Sequence, residues 1–566
     1  MHTFTPGAGR FKVKLSIEKD QDAASTLRLR AYVRQFEEGS LPELYYDYVR
    51  ATNTAEQNRL KAVIRTSPEW KAAEEEVWEG ALGNLNRTDV HSRIRGAVQG
   101  EAWWVLAGGP PCQAYSIVGR SRRIGLGGPT QTKDECCGSG LSKPADQEKI
   151  KAAKLEAFLK DERHTLYREY LEIVAVHQPP VFIMENVKGI LSSKIHLQTP
   201  DGPVLVSIFD QILKDLQNPW EAIDSAIIPE GIHIPSPADR RGYRIHSFVE
   251  PPDPENGHRP RDYLIRAEEY GVPQERHRVI LLGLREDLGP MRPDLLARAS
   301  APVPLEAVIG ELPKLRSGRS RRKSNGARNG DVDTAEAWQE AIGTILPDSV
   351  LETIDEPCRS AMKEVLDRSE INLSRGARFQ SCSSLDVDNL GELGRWLHDP
   401  KVRGVLQHET RDHMDSDFSR YLFVAAYGEV TGYSPKLRHF PSSLLPEHRN
   451  AQTEEGRQIF HDRFRVQLRH KPAATITSHI RKDGHYFIHY DKYQCRSLTV
   501  REAARVQTFP DNYFFEGNRT AQYEQIGNAV PPFLALRLAR VVERIIQRAA
   551  EQADPPSIKL TLAEAG

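Results

Sequence analysis

The sequence predicts an α/β protein built on an open sheet, and three observations carry that prediction. Apolar runs of strand length occur at Trp103–Ala107, Val181–Met184 and Val279–Leu284. Helical patterns lie between and after them, at Ala23–Arg34, Ile150–His177 and a C-terminal repeat of Leu534, Leu538, Val541, Val542 and Ile545. Finally, a thiol (Cys112) and an acid (Glu185) stand just past the first two runs. Strand carboxyl ends are where an open α/β sheet presents its reactive groups.

The bulk numbers bound the rest. A chain of 566 residues can hold two or more domains. Its formal net charge of −1 excludes a global basic field, so any nucleic-acid surface must be local. The six cysteines form no Cys-x-x-Cys pair and no evident disulfide framework. With no signal peptide and no apolar run near about eighteen residues, a reducing cytoplasmic setting and no membrane partner are expected.

Taken in order, Val13, Leu15 and Ile17 alternate with polar residues as one strand, closed by Glu18. An acid at such a strand end can accept hydrogen bonds from both hydroxyls of a ribose. Residues 35–100 are charged and helical in pattern, with Trp70 and Trp78 eight apart on one face. Asp89 opens an Asp-Val-His-Ser-Arg-Ile segment. Next comes Trp-Trp-Val-Leu-Ala-Gly-Gly-Pro-Pro-Cys-Gln from Trp103, in which two glycines permit a bend and close approach, and two prolines stiffen the turn before Cys112. A structural cysteine is the commoner fate of a lone thiol; the rigidity of this turn favours a nucleophile. The polar stretch behind it carries Arg120, Arg122 and Arg123 and is expected to be a mobile lid.

The strand Val181–Met184 ends in Glu185-Asn186-Val187, where Asn186 is expected to orient the turn and the nearby thiol loop. Residues 192–240 look like an insertion of helix and Pro-rich loop. In Gln274-Glu275-Arg276-His277-Arg278 the two arginines alternate and so can share one face of the incoming strand. Lys314–Gly330 carries seven Lys/Arg and no acid, the only pronounced basic run, as either a DNA-tracking loop or a linker. His408, His413, His479, His485 and His489 lack metal spacing, so polar contacts rather than a metal are expected. Thr499 is a candidate cap for a helix holding Glu502 and Arg505.

These motifs, in this order and together with Gln525-Ile-Gly-Asn528-Ala-Val-Pro-Pro532, resemble the cytosine-C5 DNA methyltransferases. The resemblance implies a Rossmann-like sheet dependent on S-adenosylmethionine, with an inserted target-recognition domain. It places the catalytic domain at 1–295, target recognition at 300–485 and a return to the catalytic domain at 490–566. Cys112 would attack the cytosine and Glu185 would meet its N3 edge, while the guanidinium forks of Arg276 and Arg278 suit phosphate and the O2 edge. Glu18 would hold the cofactor ribose, Asp89 the adenine amino group, and Asn528 would lie near the cofactor. The last helix would pack beside the first strand.

Family members carry a first strand and a Phe-x-Gly-x-Gly turn before the ribose acid, whereas only seventeen residues precede Glu18. Phe4-Thr-Pro-Gly-Ala-Gly9 has no strand ahead of it, and Gly9-Arg10-Phe11 reads as the turn into the second strand. The expectation is a missing first cofactor motif, with three explanations: a start lying upstream, a second polypeptide supplying it, or a chain unable to methylate alone. The implied partner is double-stranded DNA, with a cognate nuclease or defence-system proteins in a restriction-modification or phage-defence setting. Two alternatives stand beside this: a catalytically incomplete DNA-binding subunit needing a partner chain, and a tRNA cytosine methyltransferase.

Overall fold

The computed structural model describes residues 2–4, 11–37, 39–110, 162–199, 202–223, 228–320, 333–368, 372–382, 388–446 and 463–553. Cys112, the arginines behind it, Gly9-Arg10 and residues 321–330 lie outside them.

Twelve strands position the site: β1 (His2–Phe4), β2 (Phe11–Val13), β3 (Ser16–Glu18), β4 (Val77–Glu79), β5 (Trp104–Gly108), β6 (Val181–Val187), β7 (Lys194–Thr199), β8 (Gly202–Ser207), β9 (Tyr243–His246), β10 (Leu264–Arg266), β11 (Gln274–Glu275) and β12 (His277–Arg285). The main sheet runs β10-β12-β6-β5-β1-β2, and β9 shares the outer edge of β12 with β10. β5 and β6 are parallel, with Val105 opposite Val181, and β12 returns antiparallel to β6, with Ile280 opposite Glu185.

Alternation along these strands builds two cores. Trp104, Leu106, Phe182, Met184, Val279 and Leu281 face one way, against Tyr170 and Val174 of helix Glu162–His177. Val105, Val181, Ile280 and Leu282 face the other, against Leu538, Val541, Val542 and Ile545 of helix Pro532–Ala553. A sheet covered by helices on both faces must be apolar on both, which is why these strands read as unbroken apolar runs.

Several sequence expectations change here. The run from Val13 to Ile17 is not one strand: β2 belongs to the main sheet, whereas β3 pairs in parallel with β4, Glu18 opposite Glu79. Contrary to the expectation that no strand leads into the Phe4–Gly9 segment, β1 occupies the edge of β5 away from β6, antiparallel, with Thr3 opposite Trp104. The last helix therefore packs over β5, β6 and β12, with Phe11 of β2 at its margin. Trp70 sits in helix Pro68–Glu76, but Trp78 lies in β4, so the two do not share a helix face. The 192–240 insertion contains a hairpin, β7–β8, before its helix Ile208–Gln217.

Beyond residue 300, a core of Trp338, Met362, Phe418, Tyr421, Leu422 and Phe464 is assembled around helix Asp415–Thr431. A second core joins this region to the C-terminal return through Val308, Ile476, Val500, Ala503, Ala504 and Ile526. All seven residues of helix Val500–Val506 are buried. Its Thr499 cap closes a reciprocal box, accepting from the Glu502 N–H at 3.2 Å while the Thr499 N–H donates to Glu502 Oε2 at 2.8 Å.

Candidate active site

A cavity of about 620 Å³ opens at the carboxyl ends of β3, β5 and β6. It is bounded by Ile17 and Glu18, the loop Gly80–Asn84, Gly109-Pro110, Glu185–Val187, Arg276, Arg278 and Gly527-Asn528. Residues from opposite ends of the chain meet there because parallel β5 and β6 end side by side and antiparallel β12 starts at that end.

Glu185 is the centre of the charged wall. Arg278 Nε lies 2.8 Å from Glu185 Oε1, with the two side chains 15 % and 23 % exposed, so both remain within reach of a ligand. Burial pushes the Glu185 carboxyl above its usual range, against the pull of the Arg278 and Arg276 guanidinium groups. Gly109 is where close approach is needed: a Cβ there would stand 3.0 Å from Glu185 Oε2. The bend before the thiol therefore accommodates the chain's own carboxylate.

Asn186 does what its position suggests. Its side-chain Nδ2 donates to the Pro110 carbonyl at 3.2 Å, while its Oδ1 accepts from the Val187 N–H at 2.8 Å. One buried amide thus ties the end of β6 to the main chain two residues before Cys112.

Arg276 and Arg278 both reach the cavity, but the structure separates their tasks. Arg276 is 2 % exposed and spends its fork on main chain, donating from Nη1 to the Ile476 carbonyl at 2.7 Å and from Nη2 to the Gly527 carbonyl at 3.2 Å. Both terminal nitrogens of the guanidinium are thus engaged by main chain. Burial first, then repulsion from Arg278, lowers its guanidinium to about 9. Gly527 must be glycine on steric grounds, since a Cβ would sit 2.3 Å from the Ser478 nitrogen. This close approach holds Asn528, the exposed last residue of helix Arg519–Asn528, at the cavity wall.

Glu18 lies at the other end, its Oε1 accepting the Asp20 N–H at 2.9 Å. Its second carboxylate oxygen has no partner among the described residues. Asp89 stands apart: it is exposed in the first turn of helix Arg87–Val98, its N–H bonded to Asn86 Oδ1 at 3.2 Å, and it does not line the cavity. The backbone that does is Gly80–Asn84, which sequence reasoning missed; the signal was the short Val77-Trp-Glu79 strand ending in glycine. Also missed was Gln507, whose amide donates to the Ile526 and Ala529 carbonyls at 2.7 and 3.0 Å and whose Oε1 accepts from Gln274.

The residues fit S-adenosylmethionine. An acceptor for a ribose diol (Glu18), apolar contacts for an adenine (Ile17 and Leu82) and a passage past Gly109-Pro110 to Glu185 line one cavity. Its volume lies within the usual range of ligand sites, roughly 300–1,000 Å³.

The model of the C-5 cytosine-specific DNA methylases matches residues 151–218 and 255–544, more than half of the chain. The chain belongs to that family. It is a DNA (cytosine-5-)-methyltransferase that uses S-adenosylmethionine. Among its relatives, the type II methyltransferase M.Eco47II of Escherichia coli is 49 % identical over 498 residues, covering 88 % of this chain and 73 % of that protein. The type II methyltransferase M.Bpa9945I of Bacillus paralicheniformis is 28 % identical over 555 residues, 95 % of this chain and 94 % of its own. The DNA (cytosine-5-)-methyltransferase M.ApeKI of Aeropyrum pernix is 24 % identical over 499 residues, 83 % and 87 % of the two chains.

Among the described residues no cluster has the makings of a metal site and no helix is long and apolar enough to cross a membrane. The histidines beyond residue 400 make polar contacts: His408 pairs with Thr499 Oγ1 at 2.9 Å and the Pro313 carbonyl at 2.8 Å, and His413 and His485 both meet the Tyr421 hydroxyl.

Proposed function

We propose that this methyltransferase modifies C5 of a cytosine flipped out of duplex DNA, through a transient bond between Cys112 and C6. The observation that carries the reading is the Glu185–Arg278 pair at 2.8 Å, facing a cavity that also contains Pro110, two residues before the thiol. C5 of cytosine is a poor nucleophile until a group adds at C6. In the proposed cycle the Cys112 thiolate forms an S–C6 bond while protonated Glu185 gives its proton to N3, and the ring electron pair becomes available at C5. Arg278 holds Glu185 in place and offers donors to the O2 edge. S-adenosylmethionine, when bound, supplies a methyl group activated on a sulfonium sulfur. After C5 is methylated, loss of its proton to a base and cleavage of the C6–S bond return the thiolate, and N3 returns its proton to Glu185. Duplex stacking hides the target atom, so the base must leave the helix at a cost of a few kcal/mol.

In this reading residues 1–295 and 490–566 form the catalytic domain, 300–485 recognise the target, and the setting is cytoplasmic restriction-modification or phage defence with a cognate nuclease. The test is a duplex carrying 5-fluorocytosine, whose C5 cannot release its substituent. With S-adenosylmethionine present, the unaltered chain should form a denaturant-resistant complex with it, and Cys112→Ala should form none and transfer no methyl group. Label entering tRNA in place of DNA would overturn the assignment. Titration of S-adenosylmethionine into the chain alone decides the origin of the first cofactor motif. Heat of binding locates it in this chain, and binding only after another polypeptide is added makes the enzyme a split one.

A further inference from the structure

Among the described residues, cations without a carboxylate partner gather away from the described part of the basic run. The described cations of the basic run each face a carboxylate: Lys314 faces Asp491 at 3.7 Å, Arg316 meets Asp333 at 2.6 Å, and Arg319 meets Asp415 at 2.7 Å. A second groove, of about 400 Å³, has the opposite character. Lys436, Arg465 and Lys471 line it with no carboxylate partner among the described residues, and the one acid in its wall is Glu275. Lys471 Nζ donates only to the Gly432 carbonyl, at 3.0 Å, and stands 5.0 Å from the Tyr433 ring centroid. Tyr433 is 69 % exposed, more than any other large hydrophobic side chain among the described residues.

This groove is continuous with the active site through the backbone. Glu275 lines the groove, while Arg276 and Arg278, one and three residues later, line the catalytic cavity. Ala473-Ala474 pairs in parallel with Gln274-Glu275, locking the groove's far wall to the strand that enters the site. The groove and the catalytic cavity are thus walled by neighbouring residues of one segment, Glu275–Arg278. Cations without a carboxylate partner, beside an exposed aromatic ring, are the chemistry that tracks a phosphodiester backbone.

We infer that the groove of Tyr433, Lys436, Arg465 and Lys471 grips the DNA backbone flanking the target cytosine, with Tyr433 packing against sugar or base. The inference rests on the DNA substrate proposed above and names the side chains that hold it.

The experiment measures binding of the full chain to a short random-sequence duplex by fluorescence anisotropy, between about 50 and 200 mM salt. Each phosphate-contacting cation contributes about one to the slope of log affinity against log salt. Lys436→Ala/Lys471→Ala should lower that slope by about two, while calorimetric binding of S-adenosylmethionine stays unchanged. Arg544→Ala/Arg548→Ala is the control, because these two arginines of the last helix both pair with Asp294, and it should leave the slope intact. Tyr433→Ala should weaken binding severalfold and Tyr433→Phe should restore it. The altered side chains are exposed, so the melting temperature should not move. A steep slope that the groove variant leaves untouched overturns this inference alone. An unaltered chain that binds cofactor but no duplex at low salt overturns the function as well.

Discussion

Two arginine–glutamate pairs, Arg278–Glu185 and Arg496–Glu502, are chemically alike and behave in opposite ways. At the cavity, Glu185 receives Arg278 Nε at 2.8 Å, and its carboxyl is pushed up by burial. Under the recognition region, Glu502 accepts two bonds from Arg496 at 2.6 and 2.7 Å and one from the Thr499 N–H at 2.8 Å, with both side chains of the pair 1 % exposed. Burial alone would raise Glu502 too, yet the Arg496 guanidinium outweighs it and holds the carboxyl well below the usual range. At Glu502 a guanidinium fork plus a helix cap fixes the charged form, whereas at Glu185 burial outweighs the pull of the neighbouring guanidinium groups. Burial thus biases Glu185 toward its protonated form, the form that the proposed proton transfer to N3 needs. Glu502 stays charged and acts as a brace.

Breaking each pair should separate these roles. Glu185→Gln keeps the shape but cannot cycle a proton, so turnover in a methyl-transfer assay should fall roughly 10²–10⁴-fold. Its unfolding free energy should change by less than about 1 kcal/mol. The raised carboxyl also sets a sign. Protonated Glu185 is favoured at low pH and lost as pH rises through its raised value, so activity should decline on that alkaline side. Any residual activity of Glu185→Gln should lack that limb.

Glu502→Gln should do the reverse. Leaving Arg496 buried beside a neutral group should cost about 3–5 kcal/mol in denaturant unfolding, with turnover per folded molecule preserved. Here the folded-state carboxyl is depressed. Its contribution is present above the ordinary glutamate range and disappears as pH falls through the lower folded value. The gap between unaltered and variant protein should therefore be full at neutral pH and narrow in acid. A gap independent of pH would remove the charged brace from the account. The smallest effect belongs to Thr499→Ala, which deletes one side of the helix cap and should cost about 1 kcal/mol.

The sequence by itself determined the α/β class, the three central strands and the final helix, and its resemblance to the family pointed to Glu18, Glu185, Arg276, Arg278 and Asn528, all of which line the cavity. Apolar periodicity and the chemistry of short motifs are local, so they can be read along a line. Only the tertiary structure decided that Asp89 stands outside the cavity while Gly80–Asn84 lines it, and that β3 leaves the main sheet for β4. It also decided that Arg276 is occupied by carbonyls 200 and 251 positions away. The basic run fits the same rule. Arg319 reads as a free charge in sequence, yet its partner Asp415 lies 96 positions further on, while Lys436, Arg465 and Lys471, which have no carboxylate partner among the described residues, come from no conspicuous run. Whether a charge faces solvent, a carbonyl or a carboxylate depends on distances of a few ångströms, and folding sets those distances between residues far apart in the chain.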